Sequence, residues 1–215
     1  IMTLNRKTHH AYQKINNNNF ALNNLLGFDL YNKTVGVIGT GKIGKIFANI
    51  MRGFGCRVIA YDKFQDNTAP VTYVELDELF ANSDIISVHC PLMDETYHII
   101  NKESIAKMRD GVVLINVSRG ALLDTKAAID GLKCGKIGAL GLDVYEEEAN
   151  LFFNDLSGQI LQDDQFARLR SFPNVLITGH QAFFTREALQ SIADTTKNNI
   201  LAFITGAPEN IVEPA

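Results

Sequence analysis

Three polar groups at the ends of apolar runs are the residues best suited to chemistry. Arg119 follows Val112–Ile115 and precedes Gly120, so its guanidinium sits on a short turn. There its fork could bind a carboxylate bidentately and polarise an adjacent carbonyl. His180 follows the run Val175–Thr178. An imidazole at that point could give a proton to a carbonyl oxygen at neutral pH, provided that an acid keeps it charged. One of Glu146, Glu147 and Glu148, after the run Ala139–Leu142, could be that acid, because a neighbouring carboxylate raises an imidazole pKa. Taken singly, each has a plainer reading: a surface Arg, a structural His, a solvated run of glutamates.

A second constellation binds rather than reacts. Val35-Gly36-Val37-Ile38-Gly39-Thr40-Gly41-Lys42-Ile43-Gly44 reads as a buried strand, a glycine turn and the start of a helix, continued at helical spacing by Ile46, Phe47, Ile50, Met51 and Phe54. Such a unit places a pyrophosphate on a helix N-terminus, against the backbone N–H groups of Lys42 and Ile43. Gly39 allows the tight turn, Gly41 the close approach of phosphate, and Gly44 the packing of helix on strand. Asp62, 23 positions after Gly39, ends the next run, near the roughly 20 expected of a carboxylate that takes a ribose 2′-hydroxyl. It would repel a 2′-phosphate, so the expected cofactor is NAD rather than NADP.

The elements that must hold these groups follow from the pattern. Continuous apolar runs at Val35–Ile38, Val58–Tyr61, Ile85–Val88, Val112–Ile115, Ala139–Leu142 and Val175–Thr178, with a weaker one at Val71–Val74, read as strands buried on both faces. Helical patterns alternate with them: Lys42–Phe54, Leu76–Ala81, Lys102–Met108 behind an Asn101 cap, and Asp124–Cys134 between an Asp124 cap and Gly135. The alternation predicts a doubly wound parallel α/β fold of Rossmann type, with ligands at the carboxyl ends of the strands. A loosely amphipathic helix is expected over residues 1 to about 15, with His9 and His10 on its solvent face. A final helix is expected from Thr185 to about Thr205, striped by Leu189, Ile192, Ala193, Thr196, Ile200 and Phe203.

Composition narrows the class. Over 215 residues the net charge is −4, which supplies no basic field for nucleic acid or an anionic membrane surface. Cys56, Cys90 and Cys134 show no metal-ligand spacing and read as buried thiols of a reducing compartment, and no metal site is expected. No run is long enough to span a bilayer, so a cytoplasmic protein is the expectation.

With Gly39–Gly44 and Asp62, the stretches Asn116–Asp124, Gly141–Glu148 and Gly179-His180-Gln181-Ala182-Phe183 strongly resemble, in order, the NAD-dependent D-isomer-specific 2-hydroxyacid dehydrogenases. The segment from Asn150 through Phe166 is most similar to the D-lactate dehydrogenase branch. The resemblance implies a catalytic set of Arg119, Glu148 and His180. His180, held protonated by Glu148, would give a proton to the C2 oxygen of pyruvate as NADH delivers hydride, and Arg119 would hold the carboxylate. It also implies that Asp143 lies near the nicotinamide amide, and that Cys90, Pro91, Asn116, Ser118 and Phe183 line the cofactor. Residues 1–183, including a hinge helix, would form the dinucleotide-binding domain. Residues 184–215 would return to a substrate-binding domain most of which lies outside this sequence. Two other readings share the motifs: another 2-oxoacid as substrate, and an NADH-binding regulatory module similar to the C-terminal-binding-protein corepressors. The branch resembled also implies a homodimer or higher homo-oligomer.

Overall fold

Among the described residues six largely aliphatic runs and one polar-aromatic pair become strands: β1 (Thr34–Ile38), β2 (Arg57–Tyr61), β3 (Thr72–Tyr73), β4 (Ile85–Val88), β5 (Val112–Asn116), β6 (Ile137–Leu142) and β7 (Val175–Ile177). The computed structural model of the chain describes residues 1–211. All neighbouring strands pair in parallel, in the order β3-β2-β1-β4-β5-β6-β7. Successive residues of each strand feed opposite faces of the sheet. Val35, Val37, Val58, Ala60, Ile85, Val113 and Ile115 enter one core, while Ile38, Ile59, Ile86, Val88, Val112 and Leu114 enter the other. Each fully buried Ile, Leu or Val contributes about 1.5–3 kcal/mol. These two cores, not the exposed ion pairs such as Lys63–Glu95 and Lys107–Asp77, hold the fold.

Among the described residues eight α-helices complete it: α1 (Met2–Arg6), α2 (Thr8–Asn16), α3 (Lys42–Gly53), α4 (Leu76–Asn82), α5 (Lys102–Lys107), α6 (Thr125–Lys133), α7 (Asp164–Arg170) and α8 (Arg186–Ile204). Residues of α1 and α3 pack into one core and those of α4 to α7 into the other, which is the doubly wound, Rossmann-type arrangement. The predicted caps are in place. Asn101 accepts from Ser104 N at 3.0 Å and Asp124 from Ala127 N at 3.0 Å, while Gly55 (φ 77°) and Gly135 (φ 79°) follow α3 and α6 in left-handed geometry.

Three expectations need correction. The helix over 1 to 15 is two helices, because Lys7 takes φ 49° between them. The first of these is tied down by Asn5, which exchanges hydrogen bonds with both backbone groups of Phe28 (2.7 and 2.8 Å), and by Leu4 in the core. His9 and His10 are half-buried rather than on a solvent face, and the His10 ring lies 2.9 Å from the Pro173 carbonyl. Burial holds His9 below the usual imidazole range. Cys134 is exposed, so only Cys56 and Cys90 are buried thiols. A helix the sequence reading did not propose, α7, begins at the end of the segment read only for its resemblance and runs past it, capped by Asp163 (Phe166 N at 2.9 Å) and anchored by Leu169.

The chain forms two compact units, Ile1–Gly179 and His180–Ala215. In the second, Thr185 caps α8 through Ala188 N, and Leu189, Ile192, Ile200 and Phe203 are all exposed.

Candidate active and cofactor-binding site

Strand order reverses between β1 and β4, and the glycine turn lies at the carboxyl end of β1 in that crevice. Gly39 has φ 95°, and a Cβ there would come within 2.4 Å of the Cys90 backbone nitrogen. A Cβ on Gly44 would meet the Gly39 carbonyl oxygen at 2.0 Å, so helix and turn pack backbone to backbone. Gly41 differs: φ is −61° and nothing lies within 4 Å of where its Cβ would be. Neither sterics nor conformation requires glycine there, and the open space is what an incoming phosphate needs. Helix α3, like α1, α2 and α4, has no side-chain cap on its first N–H groups. Its first N–H groups, on Lys42 and Ile43, thus suit an anion. The residues present fit a dinucleotide pyrophosphate.

Asp62, at the end of β2, is held rather than loose. Its Oδ2 accepts from Thr40 N (2.6 Å) and Thr40 Oγ1 (2.9 Å), and its Oδ1 accepts from Phe64 N (2.9 Å). Thr40 Oγ1 is also 2.8 Å from the Tyr73 hydroxyl. Thr40 and Tyr73 are missed by sequence reasoning. Thr40 occupies an unrestricted place between two glycines, and Tyr73 belongs to the weakest strand run.

At the end of β4, burial pushes His89 down to about 4, so it is neutral at physiological pH and is no proton donor. Its Nε2 lies 2.9 Å from Ser87 Oγ. Burial pushes the Cys90 thiol up to about 11. Cys90 therefore faces the glycine turn with backbone, not with a reactive sulfur, and Pro91 follows it exposed.

The Arg119 turn is built by its neighbours. Asn116, 1% exposed, donates through Nδ2 to the Arg119 carbonyl (2.8 Å) and accepts from Ser118 N (3.1 Å). Ser118 Oγ donates to the Cys90 carbonyl (2.7 Å), which ties this turn to the cofactor crevice. Arg119 itself is exposed. Its Nη1 donates to the Ser118 carbonyl (2.8 Å), and the guanidinium joins no ion pair among the described residues.

After β6, buried Asp143 accepts from Thr178 Oγ1, and its N–H donates to the Asn116 carbonyl (3.0 Å). The three glutamates then part. Glu146 Oε1 is 2.6 Å from His98 Nε2, and its Oε2 accepts from Thr125 Oγ1 (3.0 Å). Glu147 is exposed. Glu148 is half-buried, and its Oε2 accepts from Tyr145 N at 3.0 Å. The Tyr145 hydroxyl donates to Asp163 Oδ2 (2.7 Å), and burial with that bond holds it above the ordinary phenol range. His98, in the segment between β4 and α5, is another residue that spacing does not single out.

Gly39, Gly41, Lys42, Ile43, Gly44, Asp62, Cys90, Pro91, Asn116, Ser118, Arg119, Asp143 and Glu148 thus all sit at the carboxyl ends of strands in the first unit. The second unit begins with His180 (φ 51°), whose ring stands edge-on to Phe183 at 6.3 Å between centroids. Among the described residues no group of three or more His, Cys, Asp or Glu is placed to hold a metal.

Fold and crevice together define a dinucleotide-binding α/β domain. The profile of the D-isomer specific 2-hydroxyacid dehydrogenase, NAD binding domain, matches residues 1–182. A 2-hydroxyacid dehydrogenase homolog of Haemophilus influenzae is 55% identical over 219 residues, covering 100% of this chain and 66% of that protein. D-lactate dehydrogenase of Escherichia coli is 53% identical over 203 residues, covering 93% of this chain and 62% of that one. The structure of the pyruvate reductase of Chlamydomonas reinhardtii superposes with a TM-score of 0.94 at 46% identity, covering 98% of this chain and 65% of that one. The chain belongs to the D-isomer-specific 2-hydroxyacid dehydrogenases and carries their NAD-binding domain. It spans just under two thirds of the length of these relatives.

Proposed function

We propose that the full-length protein is an NAD-dependent D-lactate dehydrogenase that interconverts pyruvate and D-lactate. The observation that carries the reading is the packing of the Arg119 turn, at Gly120, on the glutamate-bearing loop, with an Arg119 guanidinium that joins no ion pair among the described residues. NADH, when bound, supplies the hydride. Lys42 and Ile43 N–H groups hold its pyrophosphate, and Asp62, fixed by Thr40, takes the adenosine ribose hydroxyls. Cys90, Pro91, Asn116, Ser118 and Phe183 would line it, and Asp143 would lie near its nicotinamide amide. Arg119 grips the substrate carboxylate, and His180 gives its proton to the C2 oxygen. Glu148 keeps His180 charged until then. Residues 184–215 return to a substrate-binding domain. The relatives' names, a D-lactate dehydrogenase and a pyruvate reductase, favour pyruvate over larger oxoacids.

Initial rates on a panel of 2-oxoacids should put pyruvate first, and fluorescence titration should give tighter binding of NADH than of NADPH. Preference for hydroxypyruvate or a branched oxoacid overturns the substrate; tighter NADPH overturns the role of Asp62. The protein pairs with a second copy through the outer face of α3, where Ile43, Ile46, Ile50 and Phe54 are exposed at helical spacing. Sedimentation equilibrium should find a dimer that Ile46→Glu weakens; a monomeric wild type refutes it. The three unpaired cysteines are in keeping with a cytoplasmic setting.

A further inference from the structure

Glu146 is engaged away from the proposed chemistry, and its partners come from two other segments. His98 Nε2 lies 2.6 Å from one carboxylate oxygen, with both side chains about three-quarters covered (25% and 22% exposed). Thr125, buried at the start of α6, donates to the other oxygen at 3.0 Å. The His98 ring is stacked on Tyr97 at 3.9 Å, and its backbone takes φ 48°, a left-handed conformation that a non-glycine residue adopts only when its surroundings impose it.

The backbone closes the ring. His98 N donates to the Ala121 carbonyl (2.9 Å), Ile100 N to the Leu122 carbonyl (3.0 Å), and Asp124 N to the Ile100 carbonyl (2.9 Å). Residues 98–100 are thereby stitched along the turn that follows Arg119. That turn in turn rests on the glutamate loop, since a Cβ on Gly120 would come within 2.1 Å of the Tyr145 carbonyl carbon and 2.4 Å of Glu146 N. Three segments, 98–100, 119–125 and 145–148, are therefore joined by one carboxylate. Glu148, two residues beyond Glu146, accepts from Tyr145 N within the same loop.

We infer that His98 and Thr125, acting through Glu146, are positioning residues that set the Arg119 turn and the Glu148 loop at a fixed distance from each other. The inference rests on the proposed roles of Arg119 and Glu148, and it assigns to the first of the three glutamates a mechanical task. His98 is not a second proton donor to substrate: its ring is occupied by a carboxylate on one side and a tyrosine on its face. Because an ångström of misplacement at a reacting centre costs up to about a hundredfold in rate, a clamp of this kind is read in kinetics more than in stability.

The test uses the full-length protein. His98→Ala should lower kcat/KM for pyruvate by roughly ten- to a hundredfold, with a raised pyruvate KM and a lowered kcat, and leave the NADH Kd within about twofold. Amide hydrogen exchange should quicken in both 119–123 and 145–148. His98→Gln, whose amide nitrogen can still donate to Glu146, should recover a large part of both effects. Thr125→Val, which removes one bond at constant volume, should give the same pattern more weakly and stands in if His98→Ala does not fold. Unchanged exchange in either segment overturns the clamp, as does a His98→Gln variant no better than alanine. If the wild type reduces no 2-oxoacid, the proposed reaction is wrong, and the exchange data still decide whether His98 couples the two segments.

Discussion

Replacing Arg119 with methionine is expected to lower kcat/KM for pyruvate in the full-length protein by on the order of a hundred- to a thousandfold, while NADH binds as before. Removing one partner of a desolvated, hydrogen-bonded charge pair costs about 2–5 kcal/mol, and each 1.36 kcal/mol is about tenfold in rate. The guanidinium forms no ion pair among the described residues and donates to the carbonyl of Ser118, so its loss takes little from the fold. The loss should fall on pyruvate KM and kcat together, because the same group holds the carboxylate and polarises the carbonyl. Arg119→Lys keeps the charge but loses the fork, and should be intermediate. His180→Ala should reduce kcat by about a hundred- to ten-thousandfold with little change in pyruvate KM. An Arg119→Met enzyme within threefold of wild type would sink the assignment, leaving Arg119 as the surface residue that its exposure alone suggests.

The parts of this architecture legible in the sequence are those that depend on one segment at a time. A strand buried on both faces must be continuously apolar, so β1, β2, β4, β5 and β6 announce themselves, as do the half-buried edge strand β7 through its short aliphatic run and caps such as Asn101 and Asp124. What depends on two segments is hidden. The break at Lys7 goes with an Asn5 side chain bonded to Phe28, 23 residues away. On α3 the apolar residues recur at helical spacing without marking which of them face inward; the sheet takes Gly44, Ala48 and Met51 and leaves Ile43, Ile46 and Ile50 outside. The three glutamates are alike in sequence and separate only through their partners: Glu146 to His98 and Thr125, Glu148 to the turn of Tyr145. His98 itself carries no local signal, because its partner is 48 residues on.

The glycine turn gives the second large effect, and two substitutions three residues apart separate its structural from its binding role. Gly44→Ala places a methyl group 2.0 Å from the Gly39 carbonyl oxygen, a contact no rotamer relieves, so the helix must lift from the turn. Tm should fall by several degrees and NADH binding should go with it. Gly41→Ala meets no protein atom within 4 Å, and φ of −61° with ψ of −168° suits any L residue. Here Tm should hold or rise slightly, since alanine lowers the entropy of the unfolded chain by the equivalent of about 0.4–1 kcal/mol. The methyl group instead occupies the space that the pyrophosphate needs, and NADH affinity should drop by at least about tenfold, the equivalent of roughly 1.4 kcal/mol. Calorimetry and fluorescence titration on the two variants read both quantities. A Gly41→Ala protein that binds NADH like wild type would remove the phosphate from this turn; one that loses Tm as Gly44→Ala does would make Gly41 a packing residue instead.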